Sequence, residues 1–217
     1  MFKTLYERIA AYARRREYTE KIHHCQVNPT LEKIRYLLAS RVPVWLDLGA
    51  GTHAYSNFTG LDIDPAADIC CDLTKGIPFP TESVEKIRSD HFFEHLTYKE
   101  CMFVLGECKR VLKNEGSIDI TVPCFDVYLA AYLNNDDALL SKEIFDIPED
   151  HRAILRTSFD KIMWVLVRNG EHKSFYDKTS FIAKLHDAGF IRIETRTHDP
   201  QIDRAQRFSS LYVRAYK

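Results

Sequence analysis

Val44-Trp45-Leu46-Asp47-Leu48-Gly49-Ala50-Gly51-Thr52 is the stretch whose reading decides the fold. Val44, Trp45, Leu46 and Leu48 form a nearly continuous apolar run, the pattern of a strand covered on both faces. The run ends in two glycines one residue apart. Gly49 and Gly51 lack a Cβ, so the backbone can turn tightly there and a ligand can approach it closely. In doubly wound sheets such a junction binds nucleotide-like ligands, beyond the carboxyl end of the strand.

Three readings of this junction compete. Gly49-Ala50-Gly51-Thr52-His53-Ala54 fits the dinucleotide pattern G-x-G-x-x-A. A dehydrogenase, however, places its ribose acid about 20 residues on, and Asp62 comes well before that. A purely structural turn between strands is the second reading. In the third, Asp47 stands two residues before the first glycine, G-x-G follows, and an acid ends the next strand. That arrangement resembles motif I of the Rossmann-like (class I) methyltransferases that use S-adenosylmethionine (SAM). The resemblance implies an α/β fold: a mostly parallel seven-stranded sheet with an antiparallel last strand and helices on both faces. It also implies SAM as cofactor and S-adenosylhomocysteine as product.

The chain downstream of the glycine turn bears on this resemblance. Phe58 to Ile63 reads as the second strand, only a few residues beyond the turn. The usual methyltransferase has a full helix there, and the short spacing resembles a subgroup in which that helix is truncated. The resemblance gives Asp62, with Ile63, the ribose hydroxyls, since an ionised carboxylate accepts two hydrogen bonds from a vicinal diol. Ala67 to Leu73 reads as the third strand and its end, where Asp72-Leu73 resembles the adenine-binding pair. Asp47, Gly49, Ala50 and Gly51 are assigned to the methionine and ribose end. Val84 to Ser89 is the fourth strand, and Ser89 and His91 are placed near the methionine end.

His91-Phe92-Phe93-Glu94-His95 also matches H-x-x-E-H, a zinc-protease signature. That chemistry needs both histidines on one helix face and a third ligand downstream. The stretch follows a short strand instead, and "EHL" after the fourth strand is common in the methyltransferases. The metal assignment is therefore none. A zinc-dependent hydrolase using His91, Glu94 and His95, and a non-catalytic SAM-binding or scaffold protein, remain as alternatives.

Thr97-Tyr98-Lys99-Glu100 is a capping box. It opens a helix with Cys101, Val104, Leu105, Cys108, Val111 and Leu112 on one face. Arg110 to Gly116 resembles the family's "RVLKPGG" turn, with Gly116 expected at positive φ as the helix stops. Ser117 to Val122 is the fifth strand. Phe190–Thr197 and Phe208–Tyr216 read as the last two, an antiparallel hairpin by resemblance. Residues 171–217 resemble predicted methyltransferases found with glycan-biosynthesis enzymes.

The remainder is helical. Residues 1–40 read as an N-terminal extension with amphipathic helices over 2–18 and from Pro29. Residues 124–175 read as a helical insert over the acceptor site, with a helix starting at Pro148-Glu149-Asp150. His151 and His172, at the two ends of that helix, are candidate general bases for an acceptor hydroxyl. The whole, 1–217, is expected to be one domain.

The chain is 45% apolar and 28% charged, with a formal net charge of −1, ordinary values for a globular protein. Nothing in that balance draws it toward nucleic acid or a membrane. Its six cysteines show no zinc spacing. Reduced thiols and a cytoplasmic setting are expected. The expected reaction is methyl transfer to a hydroxyl, less readily an amine, of a small molecule such as a sugar or glycan precursor. Oligomeric state is not legible in the sequence.

Overall fold

The computed structural model describes residues 29–40, 42–142 and 153–217. The first expected helix, over 2–18, lies outside them, as do His151 and the expected helix start at Pro148. The first described helix is α1 (Pro29–Ala39), which buries Ile34 against the main core.

Seven strands form one sheet: β1 (Trp45–Leu48), β2 (Thr59–Asp62), β3 (Ile69–Cys70), β4 (Val84–Asp90), β5 (Leu112–Pro123), β6 (Ile191–Arg196) and β7 (Ser210–Tyr216). Their spatial order is β3-β2-β1-β4-β5-β7-β6. The first five run parallel, and β7 enters antiparallel between β5 and β6. Leu46, Leu48, Leu61 and Ile87 are fully buried, as the apolar runs predict for parallel strands covered on both faces. Asp119 is a buried acid on β5. It accepts from Arg196 Nε at 3.0 Å and Arg214 Nε at 2.8 Å, which ties β5 to both strands of the hairpin.

The connection from β1 to β2 is short. Parallel neighbours normally need a crossover of a dozen or more residues, yet here residues 49–58 suffice, as turns without a helix. The loop lies flat across the sheet end because three contacts hold it. The Tyr55 N–H donates to Asp47 Oδ2 at 2.9 Å. The Arg88 guanidinium sits 4.8 Å over the Tyr55 ring. Gly60 leaves room for the loop, since a Cβ there would lie 2.9 Å from Ala50 Cβ.

Three boundaries differ from expectation. The third strand shrinks to Ile69–Cys70, because Asp72 caps a 3₁₀ turn, Leu73–Lys75, through the Thr74 N–H. After α2 (Tyr98–Val111), whose capping box is present as expected, the left-handed residue is Glu115 at φ 62° rather than Gly116. Gly116 is required for closeness instead. A Cβ on it would stand 2.8 Å from the Lys113 carbonyl oxygen and 3.1 Å from that of Glu85. In the insert, α3 (Phe125–Leu133), α4 (Asp137–Lys142) and α5 (Ser158–Val167) build a small second core from Tyr128, Ala131, Leu140, Ile162 and Val165. α5 starts at Ser158 with Thr157 as its cap, in a capping box with Asp160, and residues 153–156 before it are turn and loop where the periodicity predicts helix. α6 (Lys178–Asp187) then leads into β6. Cys71, Cys101, Cys108 and Cys124 are free thiols. Cys70 is disulfide-bonded, so the expectation of reduced thiols does not hold there.

Gly116→Ala is expected to destabilise the protein by about 1–3 kcal/mol, the usual cost of forcing an extra group into a filled site. The melting temperature should fall by roughly 2–4 °C per kcal/mol. An unchanged melting curve would show that the α2–β5 turn is looser than this geometry requires.

Candidate active site

The site gathers at the carboxyl ends of β1 and β4. Asp47 and Arg88 are direct register partners on these neighbouring strands. Both are almost wholly buried. Arg88 Nη1 donates to Asp47 Oδ2 at 2.6 Å, and Nη2 donates to Asp90 Oδ2 at 3.2 Å. Asp47 therefore acts inside the protein, holding Arg88 and the Tyr55 amide under the glycine loop.

The loop itself is fixed from two sides. The Gly51 N–H donates to Asp62 Oδ2 at 2.9 Å, and the Asp64 N–H donates to Asp62 Oδ1 at 2.9 Å. Each Asp62 oxygen keeps a further lone pair for a hydroxyl. Gly51 has φ 64°, and the space where its Cβ would point is open for at least 4 Å. Gly49 is different, because a Cβ there would strike the Phe92 side chain, 2.5 Å from its Cβ and 2.6 Å from its ring. The two glycines thus have separate reasons: one admits a ligand and the other admits a side chain. Arg204 Nη2 crosses the loop, donating to the Ala50 carbonyl at 2.9 Å and to the His53 carbonyl, 3.5 Å from Asp47 Oδ2.

The other expected residues divide. Asp72 Oδ1 accepts from the Thr74 N–H and hydroxyl at 2.9 and 2.6 Å, which leaves Oδ2 for an adenine amino group. Leu73 is buried and Ile63 half-buried. Ser89 is buried and donates to the Leu48 carbonyl at 3.1 Å, so it ties β4 to β1. His91 has φ 55°, a backbone state that costs a non-glycine residue about 1–3 kcal/mol. Its Nε2 is 2.9 Å from Ser210 Oγ and its Nδ1 is 3.1 Å from Glu94 Oε1.

A cavity of about 350 Å³ opens above this floor. Asp47, Gly49, Arg88 and His91 line it, and so do Glu94, His95, Arg168, Glu171, His172, Arg204 and Arg207. His172 is far from the strand ends in sequence, but its neighbours stitch it there. The Lys173 and Ser174 N–H groups donate to the Glu94 carbonyl at 2.8 and 3.2 Å, and the Ser174 hydroxyl donates to the Leu96 carbonyl at 2.7 Å. Burial pushes the His172 pKa down to about 4, reinforced by the charges of His95 and Arg168 and opposed by Glu94. Burial alone would push Glu94 up, but the imidazoles of His91 and His95 more than offset it and hold the carboxyl below its usual range.

Sequence reasoning missed Arg88 and Arg204, and it did not join His172 to Glu94 and His95, which it had named for different roles. A lone Asp in the apolar first strand was a usable signal that it needs a buried cation. Nothing local signalled Arg204 or the meeting of His172 with the other two, which the fold alone brings about.

Residues 46–120 match the family model of a methyltransferase domain. No curated protein matches the chain. Among solved structures it is similar to a SAM-dependent methyltransferase from Thermotoga maritima, at 13% identity and a TM-score of 0.47 over 99% of both chains. It is also similar to one from Archaeoglobus fulgidus, at 14% identity and 0.49, over 86% of this chain and 93% of that one. A phosphoethanolamine N-methyltransferase from Haemonchus contortus, with SAM bound, is similar at 14% and 0.43, over 77% of this chain and 38% of the other.

A parallel sheet with an antiparallel β7, a glycine loop and an acid ending β2 frame the stretch, residues 46–120, that matches a methyltransferase domain. SAM is the cofactor such a domain implies. The residues fit the cofactor. Gly51 would offer an open backbone, Asp62 an acceptor for the ribose hydroxyls, and Asp72 an acceptor for the adenine. SAM would supply an activated methyl group, and the protein would add alignment and exclusion of water.

Arg88→Met leaves Asp47 buried without its cation. The expected cost is about 3–5 kcal/mol, the range for breaking one side of a buried pair. Chemical denaturation would measure it, and a loss below about 1 kcal/mol would mean that Asp47 takes its compensation elsewhere.

Proposed function

We propose that the chain transfers the methyl group of SAM to a hydroxyl of a small polar molecule, with a sugar or glycan precursor as the candidate class. The observation that carries this is the charge of the cavity. Four carboxylates, of Asp47, Asp90, Glu94 and Glu171, line it with four guanidinium groups, of Arg88, Arg168, Arg204 and Arg207, and Arg204 and Arg207 are both exposed. Arg207 has no acid partner among the described residues. A cationic amine would meet guanidinium groups at the rim, whereas a hydroxylated acceptor with a negative group would be drawn in. The insert contributes the acceptor side, since Arg168, Glu171 and His172 follow α5 directly into the cavity. A cytoplasmic setting rests on the four free thiols, with the Cys70 disulfide as the opposing observation.

His172 is poorly suited to be the base. A general base works best with a pKa near the operating pH, and His172 is held at about 4. His151 lies outside the described residues and keeps its place as a candidate.

A second reading has its own observation. Arg204 already occupies the Ala50 and His53 carbonyls, which favours a protein whose glycine loop is closed by its own side chain and does not turn over.

Thermal unfolding with SAM, S-adenosylhomocysteine and NAD separates these readings. At about 100 times its dissociation constant a ligand adds about 2.7 kcal/mol. A rise with SAM and its product but not with NAD is expected, and no rise with either would sink the methyl-transfer reading. Asp62→Ala removes a charged acceptor worth about 1.5–3 kcal/mol, so SAM affinity by calorimetry should fall about 10- to 100-fold. Unchanged affinity would overturn the ribose assignment. Incubation with SAM and a panel of phosphorylated sugars, neutral sugars and primary amines should release S-adenosylhomocysteine only with the hydroxyl acceptors. Release with the amines alone would replace oxygen by nitrogen as the acceptor.

A further inference from the structure

We infer that Glu94, His95 and His172 form a binding site for a divalent transition-metal ion of the zinc type, opening into the methyl-transfer cavity. One ligand atom from each lies within 4.8 Å of the others. A tetrahedral zinc site with bonds of about 2.0–2.1 Å has ligand atoms about 3.4 Å apart, so small side-chain rotations close the trio. Two imidazoles and one carboxylate are the three-ligand set of catalytic zinc sites, which leave a fourth position open. They also suit other first-row ions.

Two observations beyond proximity point to a ligand. Glu94 is 2% exposed, yet neither carboxylate oxygen has a hydrogen bond of ordinary geometry. Its 3.1 Å approach to His91 Nδ1 is an ion-pair distance only. The neighbouring imidazoles compensate its charge in part, but Oε2 is left with no partner, and a cation would supply one. Both histidines are also held by backbone carbonyls: His95 Nδ1 lies 3.2 Å from the Glu171 oxygen, and His172 bonds the Val165 backbone. With Nδ1 of His95 donating, Nε2 is left as the acceptor. Metal-binding histidines commonly have this second partner, which fixes the tautomer and aims the free nitrogen. His91, at φ 55° and anchored on Ser210, stands beside Glu94 and orients it.

The site differs from the zinc-protease reading of the sequence. His91 and His95 do not share a helix face, because Phe93–His95 is one 3₁₀ turn. The second histidine comes from after α5, and the expectation of no metal is set aside. The open position faces the cavity shared with Gly49 and Asp47. A metal ion there would polarise an acceptor hydroxyl bound at its open position. This last clause rests on the methyl-transfer reading, whereas metal binding does not.

The test uses the full chain, tag-free, stripped with EDTA and titrated with cobalt(II) chloride while visible absorption is read. One equivalent of Co²⁺ should give saturable d–d bands, and zinc chloride should bleach them. His172→Ala and His95→Gln should each weaken binding by more than the roughly 10- to 100-fold that losing a supporting partner costs. His186→Ala and the His23→Ala/His24→Ala double variant should leave it unchanged. Far-UV circular dichroism checks the fold of each variant, and half-exposed His95 gives the variant least able to disturb packing. Absence of a one-equivalent signal would overturn the site, as would binding that survives both His95→Gln and His172→Ala. Co²⁺ binding in a protein whose melting temperature ignores SAM would support the metal site and overturn the methyl-transfer reading alone.

Discussion

The buried pair between Asp47 and Arg88 is the constraint on which the rest of the site depends. Two charges out of water at 2.6 Å cost several kcal/mol each in desolvation, and the pair is tolerable only with good geometry and further hydrogen bonds. The fold supplies both. Parallel pairing of β1 with β4 puts the two residues in direct register, so neither side chain has to search for the other. The Tyr55 amide takes part of the Asp47 carboxylate, Asp90 takes the second Arg88 nitrogen, and the Tyr55 ring covers the guanidinium. The same contacts pin the β1–β2 loop flat on the sheet. A missing helix is thereby replaced by an electrostatic clamp, and the glycine loop stays in place without it.

This arrangement changes what a motif acid does. In sequence Asp47 reads as a cofactor residue. In the structure it is also the anchor of a network that includes Arg88, Asp90 and Arg204, and it holds the loop beside the cavity it lines. Asp62 plays a double part, since its two oxygens secure Gly51 and Asp64 while keeping lone pairs for a diol. Loop shape and ligand recognition are thus coupled through a single carboxylate, and disturbing either disturbs the other.

The first strand was legible because parallel strands buried on both faces must be apolar, and the run Val44–Leu48 has that pattern. Capping boxes at Thr97 and Thr157 rest on local hydrogen bonds, so α2 was legible, and α5 could have been placed had Thr157-x-x-Asp160 been weighed above apolar periodicity. Gly116 shows the limit of such rules. A glycine after a helix suggests positive φ, but here Glu115 takes that conformation and Gly116 answers to the nearby Lys113 and Glu85 carbonyls. The approach of another segment is invisible in a local pattern.

The same limit explains the Glu94, His95 and His172 cluster. H-x-x-E-H describes a helix face, and the chain makes a 3₁₀ turn instead, so the spacing that would pair His91 with His95 is lost. What replaces it is a backbone stitch. The Lys173 and Ser174 amides bond the Glu94 carbonyl, Ser174 and Tyr176 bond the turn that follows, and His172 is carried in with them. A polar group is rarely left unsatisfied in a core. Glu94 is an exception, its Oε1 facing only His91 at 3.1 Å and its Oε2 without a partner, in a segment with every backbone reason to sit where it does. That the stitch is well satisfied while the carboxylate it surrounds is not argues that the polar deficit belongs to a ligand and not to poor packing.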